Sequence, residues 1–114
     1  MLLIVEPAGQ RLGRTVEEGR VLYERMLQFS GELRSRGLLL ASQSLKADSE
    51  GVRVQVRGGT QSLRDGPFSE SKEMVGGYFL LNCATKAEAI AIAGECPAAQ
   101  WATVEVREFG PSFE

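Results

Sequence analysis

Asp65-Gly66-Pro67-Phe68, followed by Ser69-Glu70-Ser71-Lys72-Glu73 and then Gly76-Gly77-Tyr78, holds most of the residue types in this chain that could do chemistry. Asp65 is the candidate acid. A partly buried carboxylate beside a strand edge has a raised pKa and can shuttle a proton. The same Asp-Gly pair also suits a plain turn, in which the Asp side chain accepts from a backbone N–H one or two residues on. Pro67 stiffens that turn, and Phe68 either plugs the core or a subunit seam or stacks on a ligand. Glu70, Lys72 and Glu73 suit a clamp on a polar ligand or a set of solvated ion pairs. Gly76-Gly77 lets a strand or a ligand approach the backbone closely, without the spacing of a dinucleotide-binding loop. The Tyr78 ring belongs in a core, with its hydroxyl free to donate into a cleft. The candidate set is therefore Asp65 for catalysis, with Gly66, Pro67, Phe68, Glu70, Lys72, Gly77 and Tyr78 for ligand contact.

Composition limits what this set can do. The 114 residues include no histidine. This removes the usual general base near neutral pH, Ser-His-Asp and Cys-His catalysis, and most zinc sites. No metal or cofactor is expected. Cys83 has no cationic neighbour in sequence to lower its pKa. Cys96 falls at a helix C-terminus, where the dipole disfavours a thiolate. The helix between them separates the two sulfurs by roughly 14 Å, too far for a disulfide. A net charge of -2, with no basic cluster, argues against direct nucleic-acid binding. The apolar start Met1–Val5 is too short for a signal-peptide core, and no stretch approaches a membrane span. A cytoplasmic location is expected. At 43% hydrophobic and 25% charged residues, the chain reads as one soluble globular domain over 1–114, with 108–114 as a loose tail.

The elements that must position these residues follow from periodicity. Residues 1–6 read as an apolar strand and 7–14 as a loop marked by Pro7, Gly9 and Gly13. Thr15-Val16-Glu17-Glu18 is a capping box. Leu22, Met26, Phe29 and Leu33 then form one helical stripe, and Gly37 supplies a left-handed cap, so the first helix covers about 15–36. A second strand begins at Leu38. Val52, Val54 and Val56 alternate with Arg53, Gln55 and Arg57 as in a half-buried strand. Gly58-Gly59 signals a hairpin turn, and the return strand is about 60–64. Gly76-Gly77 opens another strand, through Cys83. Thr85-Lys86-Ala87-Glu88 is a second capping box, for a helix ending near Glu95 with Pro97 as its stop. The last strand is about 100–107. Trp101, Phe109 and Phe113 are expected in the core, a pocket or a subunit contact.

The order predicts an α+β fold, a ferredoxin-like βαββαβ sandwich with an extra β-hairpin and both helices on one face of an antiparallel sheet. The first strand and the strand before the second helix are then the central pair. Both are apolar on both faces: Met1, Leu3 and Val5 oppose Leu2 and Ile4, and Tyr78 and Leu80 oppose Phe79 and Leu81. The helices can cover only one face, so the other predicts a two-fold homodimer.

Asp65-Gly66-Pro67-Phe68, with the downstream Lys72-Glu73 and Gly76-Gly77-Tyr78, resembles the signature of the YCII-related, or DGPF-domain, family. Weaker likeness lies in Pro97-Ala98-Ala99 and Val104-Glu105-Val106-Arg107, so the resemblance spans essentially the whole chain. It implies a dimeric α+β barrel. Some members carry a His and an Asp regarded as a catalytic pair; here only Asp65 matches. Such proteins are often encoded beside, or fused to, extracytoplasmic-function sigma factors, which implies a regulatory association. With no helix-turn-helix in this chain, that association would be indirect. Three functions are expected: a dimeric protein binding a small molecule or partner protein in a cleft bordered by Asp65–Phe68 and Tyr78, a lyase or isomerase of small metabolites with Asp65 as acid/base, or a dimerisation module with no ligand.

Overall fold

The computed structural model describes residues 1–113. Six strands and two helices follow one another as β1 (Leu2–Pro7), α1 (Val16–Ser35), β2 (Leu39–Ser44), β3 (Val52–Arg57), β4 (Thr60–Asp65), β5 (Glu73–Leu81), α2 (Lys86–Glu95) and β6 (Thr103–Val106). Four strands form an antiparallel sheet in the order β2-β5-β1-β6, and β3 and β4 form a separate two-stranded ribbon. The fold is α+β, consistent with a ferredoxin-like arrangement that carries an inserted hairpin. As the apolar patterns require, β1 and β5 lie at the centre.

Alternation along β1 decides which face is the core. Leu2 and Ile4 point under the helices and pack with Phe29 and Leu33 of α1, Phe79 of β5, and Ile92 and Ala93 of α2. The Phe29 and Phe79 rings meet edge-to-face, with centroids 5.4 Å apart. Such a pair adds about 0.5–1.5 kcal/mol beyond the area it buries. The other face carries Leu3 and Val5, paired in register with Tyr78 and Val75. Leu3, Val5 and Tyr78 are half-buried there and Val75 is exposed.

Helix α1 starts where its capping box places it. The Thr15 hydroxyl accepts from the Glu18 N–H at 3.1 Å, and the Glu18 carboxylate accepts from the Thr15 N–H. Gly37, at φ 71°, ends it in the left-handed region. The second box is half made. Thr85 accepts from the Glu88 N–H, but Glu88 takes its backbone donor from Ala84 instead of Thr85. Two other boundaries differ from expectation. Gly76-Gly77 lies within β5, not at its start, because the strand already pairs from Glu73. The last strand is only Thr103–Val106, because Pro97 starts a turn of 3-10 helix that runs to Gln100. The segment 108–113 is exposed and joins no helix or strand.

The ribbon is the largest departure. Both faces of β3 and β4 are exposed, with Val54 59% accessible, where the valine alternation predicted a half-buried strand. The cause is topological: β3 and β4 pair with each other and not with the main sheet, so no layer lies against the valines. Gly58 and Gly59, at φ 58° and 79°, supply the tight turn between them. The arm lengthens the molecule to 47 × 41 × 19 Å and its radius of gyration to 16.0 Å, against about 13 Å for a compact chain of this size.

Candidate functional site

The Asp-Gly-Pro-Phe segment forms the root of the arm. Asp65 ends β4 opposite Val52 and is exposed. The Gly66 N–H donates to the Gly51 carbonyl at 2.9 Å, and the Gly66–Pro67 peptide is cis. Phe68 is 7% exposed, with the Arg53 guanidinium 3.7 Å and the Arg64 guanidinium 5.3 Å from its ring centre. Glu70 joins both arginines, at 3.1 Å to Arg53 and closer to Arg64. A hydrogen bond from its own backbone, followed by Arg64 and Arg53, holds the Glu70 carboxyl below its ordinary value. Lys72 is exposed, and its carbonyl accepts from the Ala8 N–H. The turn thus joins Gly66, Pro67, Phe68 and Glu70 to the ribbon. A shallow hollow of about 360 Å³ lies nearby, lined by Ala47, Asp48, Gly51 and Met74 among others.

Tyr78 and Gly77 are carried elsewhere. Tyr78 pairs with Leu3 on the face away from the helices. Gly77 faces β2, where a Cβ would come within 2.9 Å of the Gln43 carbonyl oxygen.

Gly77 also borders a cavity of about 630 Å³ between α1 and the sheet. The helical stripe is divided by it. Phe29 and Leu33 are packed in the core, Met26 packs against the core's edge while lining the void, and Leu22 hangs over the void. The sheet residues opposite the N-terminal half of α1 are Ser42, Ser44, Gly76 and Gly77, too small to fill the layer. Ile4 and Phe79 form an apolar floor, and Trp101 lines one wall.

The polar end of this cavity contains residues the sequence reading passed over. Glu6 continues the inward register of Leu2 and Ile4 and is only 5% exposed. Its Oε1 accepts from Arg11 Nε at 2.5 Å. Arg11 also donates to the carbonyls of Leu45 at 2.7 Å and Gly76 at 3.4 Å. Gly76 makes room for the pair, since a Cβ there would lie 2.6 Å from Glu6 Oε2 and 2.8 Å from an Arg11 nitrogen. The available signal was a charge on the buried beat of an apolar strand, which requires a partner. Next to Arg11, the Gln10 amide donates to the Trp101 carbonyl at 2.7 Å, and its buried Oε1 has no partner among the described residues. Arg14 and Arg34 line the same cavity.

Cys96 is buried and Cys83 half-buried. Burial pushes the Cys96 thiol up. Among the described residues, no helix is long and apolar enough to cross a membrane.

No curated protein matches this chain closely enough to count as a relative. The family model described as the YCII-related domain matches residues 1–110. That match runs from β1, through the Asp65–Phe68 root of the arm, to beyond β6, and the chain belongs to the YCII-related domain family.

Proposed function

We propose that this protein is a homodimeric, small-molecule-binding domain whose ligand sits between α1 and the sheet. The observation that carries the reading is the cavity of about 630 Å³. Its size falls in the range of small-molecule sites, and its makeup is that of such sites, mainly apolar walls with a few convergent polar groups. The dimer rests on the sheet face away from the helices, where Leu3, Val5, Tyr78 and Val75 form an apolar patch. Two such faces laid together would give the dimeric α+β barrel that the family resemblance implies.

A thermal-shift screen of small metabolites tests the ligand. A compound at a hundred times its dissociation constant adds roughly 2.7 kcal/mol of stability. Ser42 pairs with Phe79 on the helix side of the sheet, so Ser42→Phe would project a ring into the cavity and obstruct it. That variant should abolish the shift while circular dichroism stays unchanged. A shift that survives it would move the site elsewhere, with the hollow beside the Asp65 turn as the next place to look. Sedimentation tests the assembly. Val75→Lys should yield monomers, and a wild-type monomer at high concentration would refute the dimer.

The second reading is an enzyme acting as a lyase or isomerase with Asp65 as acid/base. What favours it is the position of Asp65 in the family signature, at the root of the arm beside that hollow. Asp65→Asn should abolish turnover under this reading and leave ligand affinity within a few-fold under the first. The sigma-factor association would be indirect and protein-mediated, and co-purification with an extracytoplasmic-function sigma factor tests it.

A further inference from the structure

Glu6 brings a spare hydrogen-bond acceptor to the wall of the cavity. Arg11 takes Oε1, but Oε2 makes no hydrogen bond among the described residues. It lies over Gly76 beside Arg11 Nη2, on the cavity wall. A carboxylate oxygen has room for two donors, and a ligand donor placed there would take over from water. Arg14 has the opposite requirement. It is half-buried at the same end of the cavity, and its backbone N–H donates to the Arg11 carbonyl at 3.2 Å. Its guanidinium forms no ion pair or side-chain hydrogen bond among the described residues. An acceptor lacking a donor and a cation lacking an anion therefore share one chamber, with Leu22, Met26 and Phe79 as its apolar walls.

We propose that the cavity takes an organic acid with an apolar body and a hydroxyl or N–H group, the acid on Arg14 and the donor on Glu6 Oε2. This rests on the reading of the cavity as the ligand site and names the class of ligand. A neutral hydrocarbon would leave both polar groups unmet, and an acid with no donor would leave Glu6 unmet. An organic cation at this end would face two arginines, Arg11 and Arg14, against one carboxylate. Arg34 lies about 27 Å along α1 from Val16, beyond the reach of a small molecule held by Arg14.

The test is fluorescence titration with 2-anilinonaphthalene-6-sulfonate, which has an aromatic body, a remote acid and an N–H. Its uncharged analogue N-phenyl-2-naphthylamine is titrated in parallel. Arg14→Gln should weaken the sulfonate by about tenfold or more and the neutral analogue by less than about twofold. Arg57→Gln, at the tip of the arm, controls for loss of charge alone. Glu6→Gln should weaken both probes, since both present an N–H. Ser42→Phe should abolish both. If Arg14→Gln leaves sulfonate binding intact while Ser42→Phe abolishes it, the cavity stands as the site and the acid class is wrong. If Ser42→Phe leaves both probes bound, the cavity reading itself fails. Among the described residues Arg14 bonds to no other side chain, so its variant decides the matter even if Glu6→Gln folds poorly.

Discussion

Gly66 lies so close to Asp48 that a Cβ on it would sit 1.8 Å from the Asp48 carbonyl oxygen. The obstacle is backbone, not the free end of a side chain, so the arm's root cannot absorb even one methyl group in place. Gly66→Ala should destabilise the protein by about 3 kcal/mol. Gly31, on the exposed side of α1, has nothing within 4 Å of the same position. Gly31→Ala should instead stabilise by about 0.5–1 kcal/mol. Urea unfolding of the two variants checks the contrast, and equal stabilities would show that the approach at Gly66 carries no constraint.

The Glu6–Arg11 pair should behave as a coupled unit. Arg11→Met strands a buried carboxylate, at a cost of about 2–3 kcal/mol once the part exposure of Arg11 is allowed for. Adding Glu6→Gln removes the stranded charge and should return part of the loss. A double-mutant cycle in urea should give a coupling of about 1–2 kcal/mol. Strict additivity would mean that the pair is held by the loop and contributes nothing itself.

The arm's root should loosen in acid. Glu70 has its folded-state pKa below the ordinary 4.5. Its contribution is therefore fully present above that value and is lost as pH falls through the lower, folded one. The Phe68 ring resonances report on Arg53 and Arg64 stacked against it. They should move in that acid window and stay still in Glu70→Gln. Movement that persists in the variant would assign the transition to another carboxyl.

The two thiols should be told apart by reagent. Cys83 is half-buried and Cys96 is buried, with burial raising its pKa. Thiolate is the reactive form. Ellman's reagent should modify Cys83 in the native protein and Cys96 only on unfolding. Modification of both at one rate would place Cys96 nearer the surface than the fold has it.

Much of the framework could be read from local sequence because local rules govern it. Thr15 with Glu18, Gly37 and Gly58-Gly59 each mark a backbone event that short-range sterics decide, and all occur as expected. The central placement of β1 and β5 followed from apolar residues on both of their faces. What could not be read depended on neighbours distant in sequence. The exposure of Val54 reflects the absence of a layer over the ribbon, which no valine pattern encodes. The cavity arises because Ser42 and Ser44 meet Gly76 and Gly77 beneath Leu22, a coincidence of three separate segments. Glu6 was the readable exception, since its place in the Leu2-Ile4 beat was visible from the start.

The division of α1 into a packed half and an overhanging half separates two selective pressures. Phe29, Leu33 and Phe79 anchor the helix at one end, so exchanges at positions 42 and 44 can reshape the chamber at the other without loosening that anchor. The scaffold and the shape of the chamber can therefore be changed independently.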